Sequence, residues 1–151
     1  MSDIILRNFK TKDENVVEVC MTYHIIPVTC LEPGFTAKEL LEDYMACDGI
    51  MEIAVAICDT VTDEMIGAIH AINVGEELLV SYYVTPSRQK QGIATKALEL
   101  FETFARENTD ARWLRLCICN GNIASTKVAK KRKFRRVDAN EYATNWKKSL
   151  R

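Results

Sequence analysis

The apolar positions change period between Glu77 and Asn108. Leu78, Val80, Tyr82 and Val84 alternate, which predicts a strand. Pro86 ends it. After Gln89-Lys90-Gln91-Gly92-Ile93-Ala94 the apolar residues return at Ala94, Ala97, Leu98, Phe101, Phe104 and Ala105, the spacing of a helix face. Upstream, residues 3–9 read as a short strand. Thr11-Lys12-Asp13-Glu14 has the capping-box pattern, with Val16, Val19 or Cys20, and Tyr23 following on one face. Pro27 and Pro33-Gly34 bracket a loop. Thr36…Glu39 is a second capping box, opening a helix that turns Leu40, Leu41, Tyr44 and Met45 inward. Met51, Ile53, Val55 and Ile57 alternate through the next strand, Asp59–Glu64 is a polar turn, and Met65–Val74 is another strand. Gly75-Glu76-Glu77 closes a hairpin into the strand ending at Val84. Trp113–Cys119 follows the long helix and is expected to run parallel to that strand through a βαβ crossover. Residues 134–151 read as two strands around a turn at Asp138–Asn140. These elements predict an α/β fold of the α+β kind, with a mixed, mostly antiparallel sheet of about seven strands and about four helices.

Composition narrows the class. A chain of 151 residues with 48% hydrophobic and 27% charged residues suits one soluble domain spanning 1–151. The N-terminus has no basic segment followed by a long apolar one, and no apolar run reaches membrane-spanning length. A cytoplasmic protein with no membrane partner is expected. The six cysteines (20, 30, 47, 58, 117, 119) show neither CxxC pairs nor zinc-ligand spacing. Most lie in apolar segments, so reduced core thiols and no metal are expected. Cys117 and Cys119 are read on a buried strand. The net charge of −1 hides a split: residues 81–151 hold 16 Lys+Arg against 6 Asp+Glu, and residues 1–80 hold 4 against 15. Such a division suits an anion bound on one side and a cation drawn to the other.

A strand delivered through a tight turn into a helix leaves backbone N–H groups without carbonyl partners. Together with the positive end of the helix dipole they form a site for phosphate. Gly92 allows close approach of an anion, Ala94 keeps the first turn slim, and Arg88, Lys90 and Lys96 add charge. On these residues, Gln89-x-x-Gly92-x-Ala94 after a V-x-P strand end, the chain resembles the GNAT acyl-CoA N-acetyltransferases. A second stretch in register, Asn122-Ile-Ala-Ser125-x-x-Val128-Ala129-x-Lys131-x-x-Phe134, is similar to the fourth GNAT helix and its following strand. Together with the opening IILRNFKTKDE and with Tyr82 two places before the strand end, it resembles the RimJ/RimL branch of ribosomal-protein alanine N-acetyltransferases.

The resemblance implies a sheet splayed between its fourth and fifth strands and acetyl-CoA as co-substrate. Its cofactor-binding set is Val84, Thr85, Gln89, Lys90, Gln91, Gly92, Ile93, Ala94, Thr95, Asn122, Ser125 and Lys131. Its catalytic set is Val84, whose N–H would meet the thioester oxygen, with Tyr82 and Ser125. Locally, Asn122 can also serve as a helix N-cap. The first two helices would form part of the acceptor pocket, where Glu32, Glu39, Glu42, Asp43 and Asp48 could attract an amine.

Two positions depart from the pattern. The tyrosine that many GNAT enzymes use as acid is Ala129, leaving Ser125, Tyr82 or water for that role. The usual glycine before the phenylalanine is Lys133. Glu76, Glu77, His70 and Tyr82 all remain candidate bases. His70, in an alternating apolar strand, fits a packed core residue as well. A small amine or a protein N-terminus is the expected acceptor, with direct transfer and no acetyl-cysteine step. The alternative is a non-catalytic CoA-binding module. Homodimers are common in the superfamily. Nucleic-acid binding through the basic run Lys130–Arg136 is disfavoured, since Phe134 is its sole aromatic residue.

Overall fold

A computed structural model describes residues 3–26 and 34–151; Cys30, Glu32, Pro27 and Pro33 lie outside the described residues. The strands are β1 (Ile4–Arg7), β2 (Glu52–Asp59), β3 (Met65–Val74), β4 (Glu77–Val84), β5 (Trp113–Cys119), β6 (Arg135–Ala139) and β7 (Ala143–Ser149). They form one sheet in the order β1-β2-β3-β4-β5-β7-β6, parallel only between β4 and β5. The helices are α1 (Glu14–Thr22), α2 (Ala37–Met45), α3 (Ile93–Asn108) and α4 (Ile123–Lys131). No described helix is long and apolar enough to cross a membrane.

Strand alternation sends successive side chains to opposite faces, and helices cover both. On one face, Val17 and Cys20 of α1 and Leu40, Leu41 and Tyr44 of α2 pack on Ala56, Cys58, Ala68 and Tyr83. On the other, Leu98 and Phe101 of α3 and Ala129 of α4 pack on Ile57, Ile69, Val80 and Leu116. Phe101 is fully buried, and truncation to alanine is expected to cost about 3–5 kcal/mol.

α3 and α4 are tied to the sheet by a buried carboxylate. Glu102 of α3 accepts from Arg132 Nε and Nη2 at 2.8 and 3.0 Å, and from Lys148 Nζ of β7 at 2.5 Å. Its side chain is 2% exposed, so the two cations are what make an ionised carboxylate tolerable there. The guanidinium beside it raises in turn, since its hydrogen bonds to Glu102 favour the charged form.

The capping boxes fared differently. Thr36 caps α2, its hydroxyl accepting from Glu39 N–H at 3.1 Å. Thr11 caps nothing. Asp13 instead accepts from Lys10 N–H at 2.8 Å and takes a two-pronged bond from Arg7, at 2.9 Å on each oxygen. A buried carboxylate facing an arginine outcompetes a surface threonine for control of that turn. The inward faces also shift: Val17 and Cys20 are buried, whereas Val19, Tyr23 and Met45 are exposed.

Candidate active site

β4 and β5 pair only from Glu77–Leu79 to Trp113–Arg115 and then separate. The gap opens beside the end of β4. Thr85 N–H donates to the Ile66 carbonyl on β3 at 2.8 Å. Because backbone groups of an antiparallel strand alternate in direction, the N–H and C=O of Val84 point away from β3, into the gap. Gln89 Nε2 donates to that carbonyl at 3.1 Å, leaving the Val84 N–H without a partner among the described residues. Close β3–β4 packing fixes this end: a Cβ on Gly67 would collide with the Tyr83 carbonyl oxygen.

Beyond a short 3-10 turn at Pro86–Arg88 the chain enters α3 through Gly92, whose φ of 77° is left-handed. Gly92 has no side chain to cap the helix. Among the described residues, no backbone hydrogen bond is donated from Gln89 to Thr95. This run of bare amides at the positive end of a long helix is an anion site.

The amides border a cavity of about 840 Å³. Of the residues expected at the site, Tyr82, Val84, Gln89, Lys90, Gly92, Ile93, Ala94, Thr95, Asn122, Ser125 and Lys131 line it. Thr85 and Gln91 do not. Thr85 is buried, and the Gln91 amide turns back to the Ser87 carbonyl at 3.5 Å. Lys90, Lys127 and Lys131 have no ion-pair partner among the described residues. Arg88 also lines the cavity but pairs with Asp59 at 3.2 Å, and Lys96 pairs with Glu99 at 3.8 Å. Lys127, absent from the sequence reading, sits one turn before Lys131 on the same face of α4, so helical spacing could have found it. His24 and Ile25, after α1, close the cavity from the other side and carried no sequence signal.

Asn122 caps α4, its Oδ1 accepting from Ser125 N–H at 3.1 Å, which fixes both residues at the cavity wall. The Tyr82 hydroxyl is buried with no hydrogen-bond partner among the described residues. Burial pushes its phenol up, and the nearby Ser125 hydroxyl offsets only part of that without closing a satisfactory hydrogen bond. Tyr83 also lines the cavity, and its hydroxyl meets that of Tyr44 at 3.1 Å.

Several expected residues lie elsewhere. Glu76 and Glu77 sit at the opposite end of β4 from Val84; Glu77 pairs with Lys147 and Arg115, and the Lys147 ammonium beside it lowers its carboxyl pKa. His70 pairs with Glu52 at 3.1 Å and does not line the cavity, nor do Glu39, Glu42, Asp43 and Asp48. Asp48 is occupied by the N–H groups of Ile50, Met51 and Glu52. Cys117 and Cys119 are exposed, because β5 buries Leu114, Leu116 and Ile118 on its other face. The basic run is divided: Lys131 lines the cavity, Arg132 turns to Glu102, and Lys130 and Arg136 border a separate hollow of about 340 Å³ behind α4.

Ala129 is fully buried at the position where the resemblance expects a tyrosine. Lys133 keeps the conformation of the glycine it replaces, with φ of 64°. Phe134 N–H reaches the Ala129 carbonyl at 2.9 Å and Lys133 N–H reaches that of Lys130 at 3.0 Å, closing α4 as a glycine-type helix end.

The model of the acetyltransferase (GNAT) domain family matches residues 3–135. No significant match to a curated protein sequence is found. Among solved structures, the ribosomal-protein-S5-alanine acetyltransferase of Vibrio fischeri superposes with a TM-score of 0.81 at 15% identity, over 99% of this chain and 94% of that one. RimJ of Mycobacterium smegmatis, solved in complex with CoA-disulfide, gives 0.76 at 17% identity over 97% and 81%. An N-acetyltransferase from Staphylococcus aureus gives 0.78 at 20% identity over 99% and 100%. At such identities these likenesses speak for the fold, while the family model spans most of the sequence. With a splayed sheet and an uncapped turn where the family's motif falls, the chain belongs to the GNAT acetyltransferase family.

Proposed function

We propose that the protein transfers the acetyl group of acetyl-CoA directly to an amine, with the α-amino group of a polypeptide N-terminus as the favoured acceptor. The observation that carries this reading is the run of unpaired amides from Gln89 to Thr95 at one end of a cavity that continues to Val84, Tyr82 and Ser125. The diphosphate lies on those amides, and Lys90, Lys127 and Lys131 neutralise the remaining phosphate charge. The pantetheine arm runs through the gap between β4 and β5, past the side-chain N–H₂ of Asn122.

The amine nitrogen attacks the thioester carbonyl carbon. The carbonyl oxygen gains negative charge, and the Val84 N–H stabilises it. The C–S bond then breaks, the nitrogen loses a proton, and the thiolate gains one. The Tyr82 phenol carries its proton at neutral pH and lines the cavity, so Tyr82 is the proton donor to sulfur, with Ser125 beside it. No described cysteine lines the cavity, which supports direct transfer. Burial also pushes the Cys20 and Cys58 thiols up to about 11, far from a reactive thiolate.

The acceptor follows from proton availability. The described lining residues include no carboxylate to act as base. An α-amino group, with a pKa of about 7.7–8.0, is partly neutral at pH 7, whereas a lysine amine near 10.4 is not. The resemblance in fold to ribosomal-protein alanine acetyltransferases supports the same choice.

The test has two parts. Acetyl-CoA should raise the melting temperature, and an unchanged melt would remove cofactor binding. Thiol release should then be faster with peptides bearing a free N-terminus than with N-blocked peptides bearing lysine. Equal or reversed rates would sink the acceptor assignment, and no release with any amine would sink turnover.

A further inference from the structure

We propose that Cys47, Glu52 and His70 form a zinc site with three protein ligands and one open position, separate from the acetyl-transfer cavity. The three donor atoms already converge: Cys47 Sγ lies 3.7 Å from Glu52 Oε2, His70 Nε2 lies 3.1 Å from the same oxygen, and all three fall within 4.8 Å of one another. Zinc bonds of about 2.3 Å to sulfur and about 2.0–2.1 Å to nitrogen and oxygen, set at tetrahedral angles, put the donors roughly 3.3–3.5 Å apart. The two spacings to Glu52 bracket that range and the third lies within 4.8 Å, so side-chain rotations of the three donors can close on an ion.

The scaffold holds the donors in place. β2 and β3 pair with Ala54 opposite His70 and Glu52 opposite Ile72, which puts Glu52 and His70 on one face as diagonal neighbours. Tyr44 flanks the imidazole, with ring centroids 6.4 Å apart. Cys47 follows the end of α2, where its N–H bonds the Tyr44 carbonyl at 3.3 Å. The intervening loop is shaped by Asp48, whose Oδ1 accepts from Ile50 and Met51 at 2.7 and 2.8 Å, and by Gly49 N–H, which reaches the Glu52 carbonyl at 2.9 Å. Two pre-set strand residues and a built loop therefore aim at one point.

The donor chemistry selects the ion. A thiolate, an imidazole and a carboxylate together suit zinc better than the all-oxygen cations calcium and magnesium. A thiolate and a carboxylate also balance the charge of a divalent ion. Glu52 is 53% and His70 28% exposed, so the fourth position faces water. None of the three lines the cavity, so the site does not depend on the acetyl-transfer reading. Occupied, it would pin the loop joining α2 to the sheet.

Cobalt(II), which takes zinc's place in such sites, provides the probe. Titrated into the reduced full-length protein, it should give one equivalent of binding with a thiolate-to-cobalt charge-transfer band, and zinc should bleach the band. Cys47→Ser should abolish the band and weaken affinity by more than about a hundredfold, beyond the loss typical of a supporting residue. Replacing both Cys117 and Cys119 by Ser should leave it intact. Should Cys47→Ser fail to fold, the exposed Glu52→Gln serves instead and should weaken cobalt binding at least tenfold. No band in the wild type, a band that survives Cys47→Ser, or unchanged affinity in Glu52→Gln would overturn the proposal.

Discussion

α2 and α3 begin in opposite ways. At α2, Thr36 accepts from the Glu39 amide and donates to its carboxylate at 3.0 Å, so the terminus satisfies itself. At α3, Gly92 offers no side chain, and the preceding turn leaves its amides bare. The turn from Gln89 to Gly92 is exposed, so water can meet its amides until an anion displaces it. The difference separates a helix end built for folding from one built for a ligand. α4 falls between them: Asn122 caps it with its oxygen and leaves its side-chain N–H₂ at the cavity wall.

The strongest way to break the contrast is to supply α3 with an anion of its own. Gly92→Glu should abolish the rise in melting temperature with acetyl-CoA. A Cβ there meets nothing within 4 Å, so the protein should still fold, with about 1–2 kcal/mol of left-handed strain. Gly92→Ala carries the same strain without the charge and should retain cofactor binding. Loss of binding in both variants would show that conformation rather than charge decides the matter.

Next, Tyr82→Phe should lower kcat about a hundredfold without lowering the melting temperature, because the deleted hydroxyl makes no hydrogen bond among the described residues. An unchanged kcat would assign the proton donor elsewhere. Lys131→Ala should weaken CoA binding several-fold at low salt and less at high salt, as expected for an exposed cation near phosphate. An identical loss at both ionic strengths would point to packing instead.

At the self-sufficient terminus the consequence is reversed. Thr36→Ala should cost about 1 kcal/mol in chemical unfolding and leave the affinity for acetyl-CoA unaltered. The smallest expected effect is at the end of α4. Lys133→Gly should stabilise by about 0.5–1 kcal/mol, since glycine takes the φ of 64° without a Cβ penalty. A destabilised variant would mean that the lysine side chain makes up for its strained backbone.

The parts of the site that lie close in sequence were legible. The change of period between Leu78 and Ala105 located β4, the turn and α3, because strand, turn and helix are specified by neighbours a few residues apart. Gly92 acts through the backbone conformation it permits, and Gln89 through a side-chain bond to Val84 five residues away, both of which are local. Asn122 and Ser125 were legible for the same reason, standing at the first turn of one helix.

Residues whose role depends on partners outside their own pattern were not. Thr11…Glu14 has the form of a capping box, yet Arg7 and Lys10 draw in Asp13, and the turn forms around that ion pair. The alternation in Trp113–Cys119 divides β5 into two faces, but only the placement of α3 and α4 decides that Leu114, Leu116 and Ile118 are covered and the cysteines are not. Glu76 and Glu77 adjoin the key strand in sequence but lie at its far end, a separation set by the length of β4.

By itself, the sequence determined the period of each element, the uncapped turn and its family, since these follow from short-range sterics and hydrogen bonding. Only the tertiary structure decided where β4 and β5 part, that the Tyr82 hydroxyl is buried without a partner among the described residues, and that Cys47, Glu52 and His70 meet. Those outcomes arise from packing between segments far apart in the chain, and no spacing along it encodes them.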